Sequence, residues 1–300
     1  MNLIITFDKN EYFFPYLNNK TCIVVEPLKG QAYWYRILRR IPLFSFFAFD
    51  RNILRLADNA DKIVVFDSAY TDSLGKYLSR FKNKLFIYWW NPIYKNYGEN
   101  GMKIINKAKR RCRVCSFDPQ DCARYDLEFA PMMYSSSVTL PKRNVKYNIF
   151  FLGAGKDRIK SFFEIYKSIL CHVDGCKYII VTDQIDKYIS DSNIEIRNTR
   201  VLYSDYLHYI SESQAMLDIP QKGQAGNTIR VVESLFFKKK LITTNRNVRK
   251  YDFYNKQNIF IVGEDDPKSI NDFIKTPYKN IGYDILKKYD IEYWIKELKV

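Results

Sequence analysis

Residues 215–245 read AMLDIPQKGQAGNTIRVVESLFFKKKLITTN. The apolar runs at 215–219 and 240–243 are typical of buried strands, and the spacing of the apolar residues over 227–238 predicts a helix between them. A strand, a helix and a second strand in this order form the repeating unit of a parallel sheet. The stretch therefore predicts an α/β fold.

The same alternation continues along the rest of the chain. Short runs rich in Val, Ile and aromatic residues, separated by helical patterns, indicate buried parallel strands. These runs lie at 3–7, 21–25, 62–66, 84–89 and 113–117, and then at 147–152, 177–181, 194–198, 215–219, 240–243 and 258–262. Helical patterns lie at 156–171, 204–213, 227–238, 267–274 and 282–298. The sequence therefore predicts an α/β protein with two Rossmann-like domains in tandem.

The predicted linker is the polar, proline-containing stretch LPKRN at 140–144. It separates a domain over residues 1–143 from a second domain over 144–300, with the last helix able to pack back on the first domain. Two such domains in tandem make an interdomain cleft the expected ligand site.

Composition limits the partners and the compartment. The net charge of +15 favours anionic partners such as nucleotide phosphates, nucleic acid or an anionic membrane, although an AT-rich genome would also give a lysine-rich surface. Among the six cysteines only Cys112 and Cys115 have the spacing of a zinc-ligand pair, and neither of the two histidines completes a zinc motif. No signal peptide is recognised, and no apolar run approaches the ~20 residues of a membrane span. We expect a cytoplasmic protein with reduced cysteines, no bound metal and at most a peripheral membrane contact.

The loop and helix after the strand at 215–219 predict an anion site. Gly223 and Gly226 allow a close approach of the backbone, and Asn227 is a favourable N-cap residue. The helix that begins at Thr228 would offer free N–H groups and a positive dipole end to a diphosphate. Arg230, one turn into the helix, would add a charge-assisted hydrogen bond.

Glu233 lies on the same helix, ~9 Å along the axis from Asn227. Its carboxylate would reach the ribose hydroxyls of a nucleotide whose diphosphate sits at the helix tip. A carboxylate on a strongly apolar helix is costly without partners. The alternative is a solvated glutamate paired with Arg230, and the periodicity fits both interpretations equally.

A second candidate segment is the glycine-rich turn that follows the strand at 147–152. Gly153 opens this turn, and Lys156 and Arg158 follow it. The segment lacks the third glycine of a dinucleotide fingerprint and the spacing of a P-loop. It offers a flexible backbone and two cations for phosphates, and the alternative is a tight turn with solvated charges.

Together these segments resemble the C-terminal half of GT-B glycosyltransferases. The chain is most similar to bacterial lipopolysaccharide, O-antigen and capsular polysaccharide biosynthesis glycosyltransferases. The resemblance rests on VVFDS at 64–68, WNPI at 90–93, SFDP at 116–119, YDL at 125–127, FFLG at 150–153, KDR at 156–158, TIR at 228–230 with Glu233, and KLITTN at 240–245. These motifs span most of the chain and are specific for the group rather than for one sugar.

The resemblance implies transfer of a sugar from a nucleotide-sugar donor to a glycan or lipid-linked acceptor in bacterial surface polysaccharide biosynthesis. It makes 1–143 the acceptor-binding domain and 144–300 the nucleotide-sugar-binding domain, with no cofactor and no metal. Many retaining members have a second glutamate eight residues before the one that matches Glu233. This position is Ala225 here, so a retaining mechanism does not carry over.

The resemblance also implies roles for individual residues. Glu233 matches the carboxylate that binds the donor ribose. Lys156 and Arg158 match the basic positions near the donor phosphates. Thr228 and Arg230 match the end of the helix that binds the diphosphate. With the residues of both loops, the candidate donor-binding set is Gly153, Lys156, Arg158, Gly226, Asn227, Thr228, Arg230 and Glu233.

An inverting transfer needs a general base for the acceptor hydroxyl. The base should lie on a loop at the carboxyl end of a strand in the first domain. Such positions are occupied by Asp8, Glu11, Glu26 and Asp67. We favour Asp8, which follows the first strand, and then Glu26 as catalytic residues. The alternative for each is a helix N-cap or first-turn carboxylate.

Two further questions concern partners. The stretch 34–56, rich in aromatic residues and arginine, would suit an anionic membrane surface and a lipid-linked acceptor; the alternative is a helix followed by a buried aromatic segment. The basic residues are spread evenly and show no nucleic-acid-binding signature, so we expect no nucleic-acid partner. A non-catalytic nucleotide- or polyanion-binding protein remains the alternative, because a fold does not fix a function.

Overall fold

The computed structural model describes residues 1–17, 21–28, 37, 45–154, 158–183 and 192–299. By its internal contacts the chain divides into two units. Unit 1 comprises Met1–Ser137 and the C-terminal segment from Tyr289, and unit 2 comprises Val138–Lys288. The division precedes the predicted boundary at residue 143, because Leu140 packs against the core of unit 2.

Each unit contains one six-stranded sheet in which every described pairing is parallel. Unit 1 contributes β1 (Asn2–Ile5), β2 (Cys22–Val25), β3 (Ile63–Phe66), β4 (Leu85–Trp89), β5 (Arg113–Ser116) and β6 (Glu128–Phe129). Unit 2 contributes β7 (Tyr147–Ala154), β8 (Lys177–Val181), β9 (Ile194–Arg197), β10 (Ser213–Asp218), β11 (Lys240–Thr243) and β12 (Ile259–Ile261). The strand orders are β2-β1-β3-β4-β5-β6 and β12-β11-β10-β7-β8-β9.

The α-helices of the described residues are α1 (Ser45–Ala48), α2 (Asn52–Asn59), α3 (Asp72–Tyr77), α4 (Ile93–Tyr97), α5 (Asn100–Lys109), α6 (Pro119–Tyr125), α7 (Arg158–Ser168), α8 (Tyr203–Ser211), α9 (Ile229–Phe236), α10 (Ile270–Lys275), α11 (Tyr283–Leu286) and α12 (Ile291–Glu297). Short 3₁₀ helices lie at Phe14–Tyr16, Ser79–Lys84, Leu170–His172, Arg246–Lys250, Pro267–Ser269 and Lys287–Tyr289. The strands and helices alternate along most of both units.

Both faces of the unit 2 sheet are buried. Met216 packs in a cluster with Tyr206 and Ile210 of α8, whereas its neighbour Leu217 packs in a different cluster with Phe162 of α7. Successive side chains of a strand point to opposite faces. A sheet that is covered on both faces needs continuously apolar strands, which explains why these runs could be found in the sequence.

The last helix packs on unit 1. The indole Nε1 of Trp294 donates to the carbonyl oxygen of Pro131 at 3.0 Å. The ammonium group of Lys62 donates to the carbonyl oxygens of Ile295 at 3.0 Å and Lys296 at 2.8 Å. These contacts hold the C-terminal end of α12 beside the start of β3.

Two details of the predicted elements are wrong. The single helix predicted over 282–298 is divided into α11, a 3₁₀ turn and α12, because the Asp290 carboxylate accepts from the Glu292 N–H at 3.1 Å and starts a new helix. The strand β6 was not predicted, since it is two residues long and has no apolar run.

Candidate functional site

The candidate site of unit 2 lies where two neighbouring strands end. The strand order reverses between β7 and β10, and open parallel sheets bind ligands outside the carboxyl ends of the strands at such a reversal. Strand β7 ends at Ala154, β10 ends at Asp218, and α9 begins at Ile229 after the loop from β10. The fold therefore brings the end of β7 and the start of α9 to the same edge of this sheet.

Thr228, rather than the predicted Asn227, caps α9. Its backbone is extended, and its hydroxyl oxygen accepts from the Arg230 N–H at 3.2 Å. Asn227 is buried, and its amide oxygen accepts from the Nδ2 of Asn245 at 3.1 Å. The N-cap prediction is therefore wrong by one residue, because the asparagine side chain binds the segment after β11 instead of the helix.

Asp218 anchors this end of α9. Its side chain is fully buried at the end of β10. One carboxylate oxygen accepts from the Thr228 hydroxyl at 2.6 Å, and the other accepts from the Thr243 hydroxyl of β11 at 2.9 Å. Asp218 is not among the site residues predicted from the sequence. The available signal was an aspartate at the end of an apolar strand, where a buried carboxylate requires partners.

The loop between Asp218 and Thr228 is held by side chain to backbone bonds. Gly226 is buried, and its carbonyl oxygen accepts from the Nε2 of Gln224 at 3.0 Å. Gly223 has φ +82°, in the left-handed region that favours glycine. The loop thus adopts a defined course into the start of α9.

Arg230 connects α9 to β7. Its guanidinium donates to the Leu152 carbonyl oxygen of β7 and lies 5.7 Å from the centre of the Phe151 ring. The Nε atom is buried and has no hydrogen-bond partner among the residues that the structure describes. Arg230, which was predicted to bind phosphate, therefore lies at the reversal, and its side chain is half-exposed.

Glu233 is buried, with 1% of its surface exposed. Its Oε1 accepts from the Tyr203 hydroxyl at 3.0 Å, and its Oε2 accepts from the Tyr206 hydroxyl at 2.6 Å. Burial raises the pKa of Glu233, and the Tyr206 hydroxyl, the charge of Arg230 and the Tyr203 hydroxyl act in the opposite direction. The alternative of a solvated glutamate is wrong, because α8 covers the carboxylate.

Tyr206→Phe is expected to destabilise the protein by about 1.5–3 kcal/mol at pH 8, since it removes a hydrogen bond to a buried carboxylate. The pKa of Glu233 is raised in the folded state, so the carboxyl is protonated at low pH and needs this donor less. The decrease in the free energy of unfolding should therefore be smaller at pH 4.5. Urea unfolding at both pH values measures this decrease, with Tyr209→Phe on the same helix as the control. A loss equal at both values would contradict the role of Tyr206.

The glycine-rich turn is described only in part. Gly153 is buried within β7, and a Cβ atom there would lie 2.4 Å from Cζ of Phe151. A side chain at position 153 would therefore force the Phe151 ring to move. Arg158 begins α7 and is half-exposed. Lys156 lies outside the described residues.

In unit 1 the fold brings the two predicted catalytic carboxylates to neighbouring loops after β1 and β2. Asp8 accepts from the Asn10 N–H at 2.9 Å, and Glu26 accepts from the Lys9 N–H at 3.3 Å. Both side chains are half-exposed. The bond of Asp8 is a local turn contact, whereas the bond of Glu26 joins the two loops. Neither carboxylate caps a helix of the described residues.

Only part of the predicted membrane-binding stretch at 34–56 is described, namely residue 37 and the residues from 45 onward. Arg51 and Arg55 are exposed there. Among the described residues, no helix has the length and apolar character needed to cross a membrane. In the same part of the chain, no three His, Cys, Asp or Glu side chains are grouped closely enough to hold a metal ion.

Several solved structures share this architecture. Sucrose-phosphate synthase from Thermosynechococcus elongatus has a TM-score of 0.57 and 9% identity over 99% of this chain and 86% of that chain. The E. coli trehalose-6-phosphate protein with bound UDP-2-fluoro glucose has a TM-score of 0.51 and 9% identity over 99% and 97%. A DNA-modifying β-glucosyltransferase, studied with and without uridine diphosphoglucose, has a TM-score of 0.50 and 13% identity over 99% and 98%.

At these identities the similarity shows the fold alone. The predicted fold class is confirmed: an α/β protein with two Rossmann-like domains, laid out as in GT-B glycosyltransferases. No protein-family model and no curated protein matches the chain. The resemblance to surface-polysaccharide enzymes therefore stays a prediction.

Proposed function

We propose that this chain is a glycosyltransferase that takes a sugar from a nucleotide-sugar donor. The observation that carries the proposal is the arrangement at the strand reversal of unit 2. A capped helix N-terminus, the Arg230 guanidinium and the buried Glu233 carboxylate lie on one helix at the edge where parallel sheets bind nucleotides.

The start of α9 suits the donor diphosphate. The positive end of the helix dipole lies at this end of α9 and favours an anion there. Thr228 and Asp218 fix this helix end through buried hydrogen bonds, so it needs little reorganisation on binding. We assign diphosphate binding also to the backbone of Gly226 and Asn227, in the loop before α9. The backbone of Gly153, near the end of β7, has the same role.

Glu233 suits the donor ribose. It lies one turn beyond Ile229, roughly 6 Å along the helix axis, which matches the distance between the diphosphate and the ribose hydroxyls. Each carboxylate oxygen accepts one tyrosine hydroxyl and retains a further lone pair. Tyr203 is only half-buried, so a small displacement of its ring would give the ribose access to Oε1.

The leaving diphosphate is stabilised in this proposal without a metal ion or a cofactor. The helix dipole, Arg230, Arg158 and Lys156 supply the positive charge. The reaction is transfer of a hexosyl or related sugar. Uridine diphosphate sugars are bound in two of the structures with this fold, which makes them the first donors to test.

The acceptor in this proposal is a glycan or a lipid-linked glycan of bacterial surface polysaccharide biosynthesis. The motifs that resemble those enzymes support it, as does the net charge of +15, which would favour an anionic membrane surface. We place the protein in the cytoplasm, at the inner face of the membrane. The alternative is a non-catalytic nucleotide- or polyanion-binding protein.

The test is release of nucleoside diphosphate from UDP-, GDP-, CDP- and ADP-sugars, with octyl glycosides or duplex DNA as acceptors. We expect release in one base series only, stimulated by a glycoside, and reduced about 10²-fold or more in Arg230→Gln. Glu164→Gln, on the exposed face of α7, serves as the control for preparation and stability. Nucleotide binding without any release would favour the non-catalytic alternative, and stimulation by DNA alone would overturn the glycan acceptor.

A further inference from the structure

A polar and aromatic cluster lies at the carboxyl end of the sheet in unit 1, around Asp67. The strand order of this sheet reverses between β1 and β3, and Asp67 directly follows β3. Its side chain is 7% exposed. It accepts from the Ser68 N–H at 3.0 Å and from Nδ2 of Asn91, which follows β4, at 3.0 and 3.3 Å. The carboxylate is therefore held at the position where this sheet would bind a ligand.

The aromatic part of the cluster is centred on Trp90. Its ring lies 4.9 Å from Phe66, 5.6 Å from Phe14 and 5.3 Å from Tyr12, measured between ring centres. Although three rings surround it, the indole stays half-exposed. A rigid, half-exposed indole beside a carboxylate offers an apolar face and a hydrogen-bond acceptor to the same ligand.

Tyr12 is strained in this cluster. It has φ +51°, in the left-handed region that non-glycine residues seldom occupy. Such strain costs roughly 1–3 kcal/mol and is concentrated at binding and catalytic sites. Tyr12 lies in the loop after β1, so the strain marks the same reversal as Asp67.

The protonation of Asp67 is set for proton transfer near neutral pH. Burial raises the pKa of Asp67 to about 7, against the hydrogen bonds from Asn91, Ser68 and the backbone of Trp90. The Tyr97 phenol of α4 is a titratable group that faces this carboxyl, and its own pKa is raised by burial and by the Asp67 charge. A general base works best when its pKa lies near the operating pH.

Other buried carboxylates of unit 1 have structural partners. Asp118 caps α6 by accepting from the Gln120 N–H at 2.8 Å, and Asp121 accepts from the Ile93 N–H at the start of α4 at 2.7 Å. Asp67 caps no helix, since α3 begins later and is capped by Thr71. Asp8 and Glu26 lie on the loops after β1 and β2 and are half-exposed.

We propose that Asp67 is the general base of the transfer, and that the half-exposed Trp90 ring binds the sugar ring of a carbohydrate acceptor beside it. This inference rests on the proposed function and replaces Asp8 as the favoured base. Asn91 is a positioning residue, because it orients the carboxylate without contacting the acceptor.

The step balances without a further reactant. The acceptor hydroxyl oxygen forms a bond to the anomeric carbon of the donor, while the bond from that carbon to the phosphate oxygen breaks. The leaving nucleoside diphosphate takes the electron pair, and the hydroxyl proton passes to an Asp67 oxygen and later to water. A direct displacement inverts the anomeric configuration, in agreement with Ala225 at the position of the second glutamate of retaining enzymes.

The first test compares Asp67→Asn with the wild type, using the octyl glycoside that stimulates release of nucleoside diphosphate. We expect kcat to fall about 10²–10⁴-fold with the donor Kd unchanged. Asp121→Asn, a second buried carboxyl, controls for a loss of fold. Loss of activity in Asp8→Asn with retention in Asp67→Asn would assign the proton to Asp8 and overturn the inference.

The second test needs no variant. In the wild type, kcat should rise with pH through about 7, because only the ionised Asp67 accepts the proton. NMR of the product should show an inverted anomeric carbon. A retained configuration, or a kcat independent of pH between 5 and 9, would overturn the inference while leaving the transferase proposal intact. A wild type that releases no nucleoside diphosphate from any donor would overturn both.

Discussion

Replacing Trp294 by alanine is expected to destabilise unit 1 by about 3–5 kcal/mol. The side chain is 3% exposed, its ring contacts Tyr88 with 4.8 Å between ring centres, and its indole donates to the Pro131 carbonyl oxygen. The substitution removes a large apolar group and leaves a cavity that the sheet and α12 cannot close. The loss is large because α12 contributes to the core of unit 1.

Far-UV circular dichroism during urea unfolding, with hydrogen exchange of the β4 and β5 peptides, measures the effect and assigns it to unit 1. Trp294→Phe keeps a ring against Tyr88 and should cost less than half as much. Lys296→Ala, at an exposed position of the same helix, should stay close to the wild type. A loss below 1 kcal/mol in Trp294→Ala would show that α12 does not belong to this core.

Replacing Asp218 by alanine is expected to destabilise unit 2 by about 2–5 kcal/mol. The hydroxyls of Thr228 and Thr243 are both buried donors to this carboxylate, and a buried polar group that loses its partner costs about 1–3 kcal/mol. The substitution also frees the start of α9. We therefore expect weaker binding of nucleoside diphosphate in addition to the loss of stability.

Urea unfolding and calorimetric titration with the nucleoside diphosphate measure the two effects separately. Asp272→Ala, at an exposed position of α10 in the same unit, is the matched control. A destabilised Asp218→Ala that binds nucleotide as tightly as the wild type would show that the start of α9 is not part of the binding site.

The strands could be predicted because both sheets are covered on both faces. A strand such as β4, buried at every residue, has to be apolar throughout, and such a run is visible without any tertiary information. The position of α9 was also predictable from its apolar spacing. The break between α11 and α12 depends on the carboxylate of Asp290, which accepts from the N–H groups of Glu292 and of the distant Ser136. These contacts interrupt a helical pattern that runs through the position.

The site could be predicted only in part, since its hydrogen bonds join distant segments. Glu233 was selected from its place on α9, but the tyrosines that bury it lie on α8, 27 and 30 residues away. The N-cap depends on whether Asn227 binds α9 or Asn245. Asp67 was one of four candidate bases in the sequence, behind the favoured Asp8 and Glu26, and its burial follows from the neighbouring positions of β3 and β4 in the sheet.

In the proposed function, the strand reversal of unit 2 binds the nucleotide of a sugar donor. Thermal-shift and calorimetric titration of the wild type, Glu233→Ala and the exposed control Glu164→Ala with UDP, GDP, CDP and CMP tests it most directly. A bound ligand stabilises by RT ln(1 + [L]/Kd). We expect a rise in Tm with one base only, kept in Glu164→Ala and lost in Glu233→Ala. No shift with any nucleotide, or an equal shift in Glu233→Ala, would contradict it.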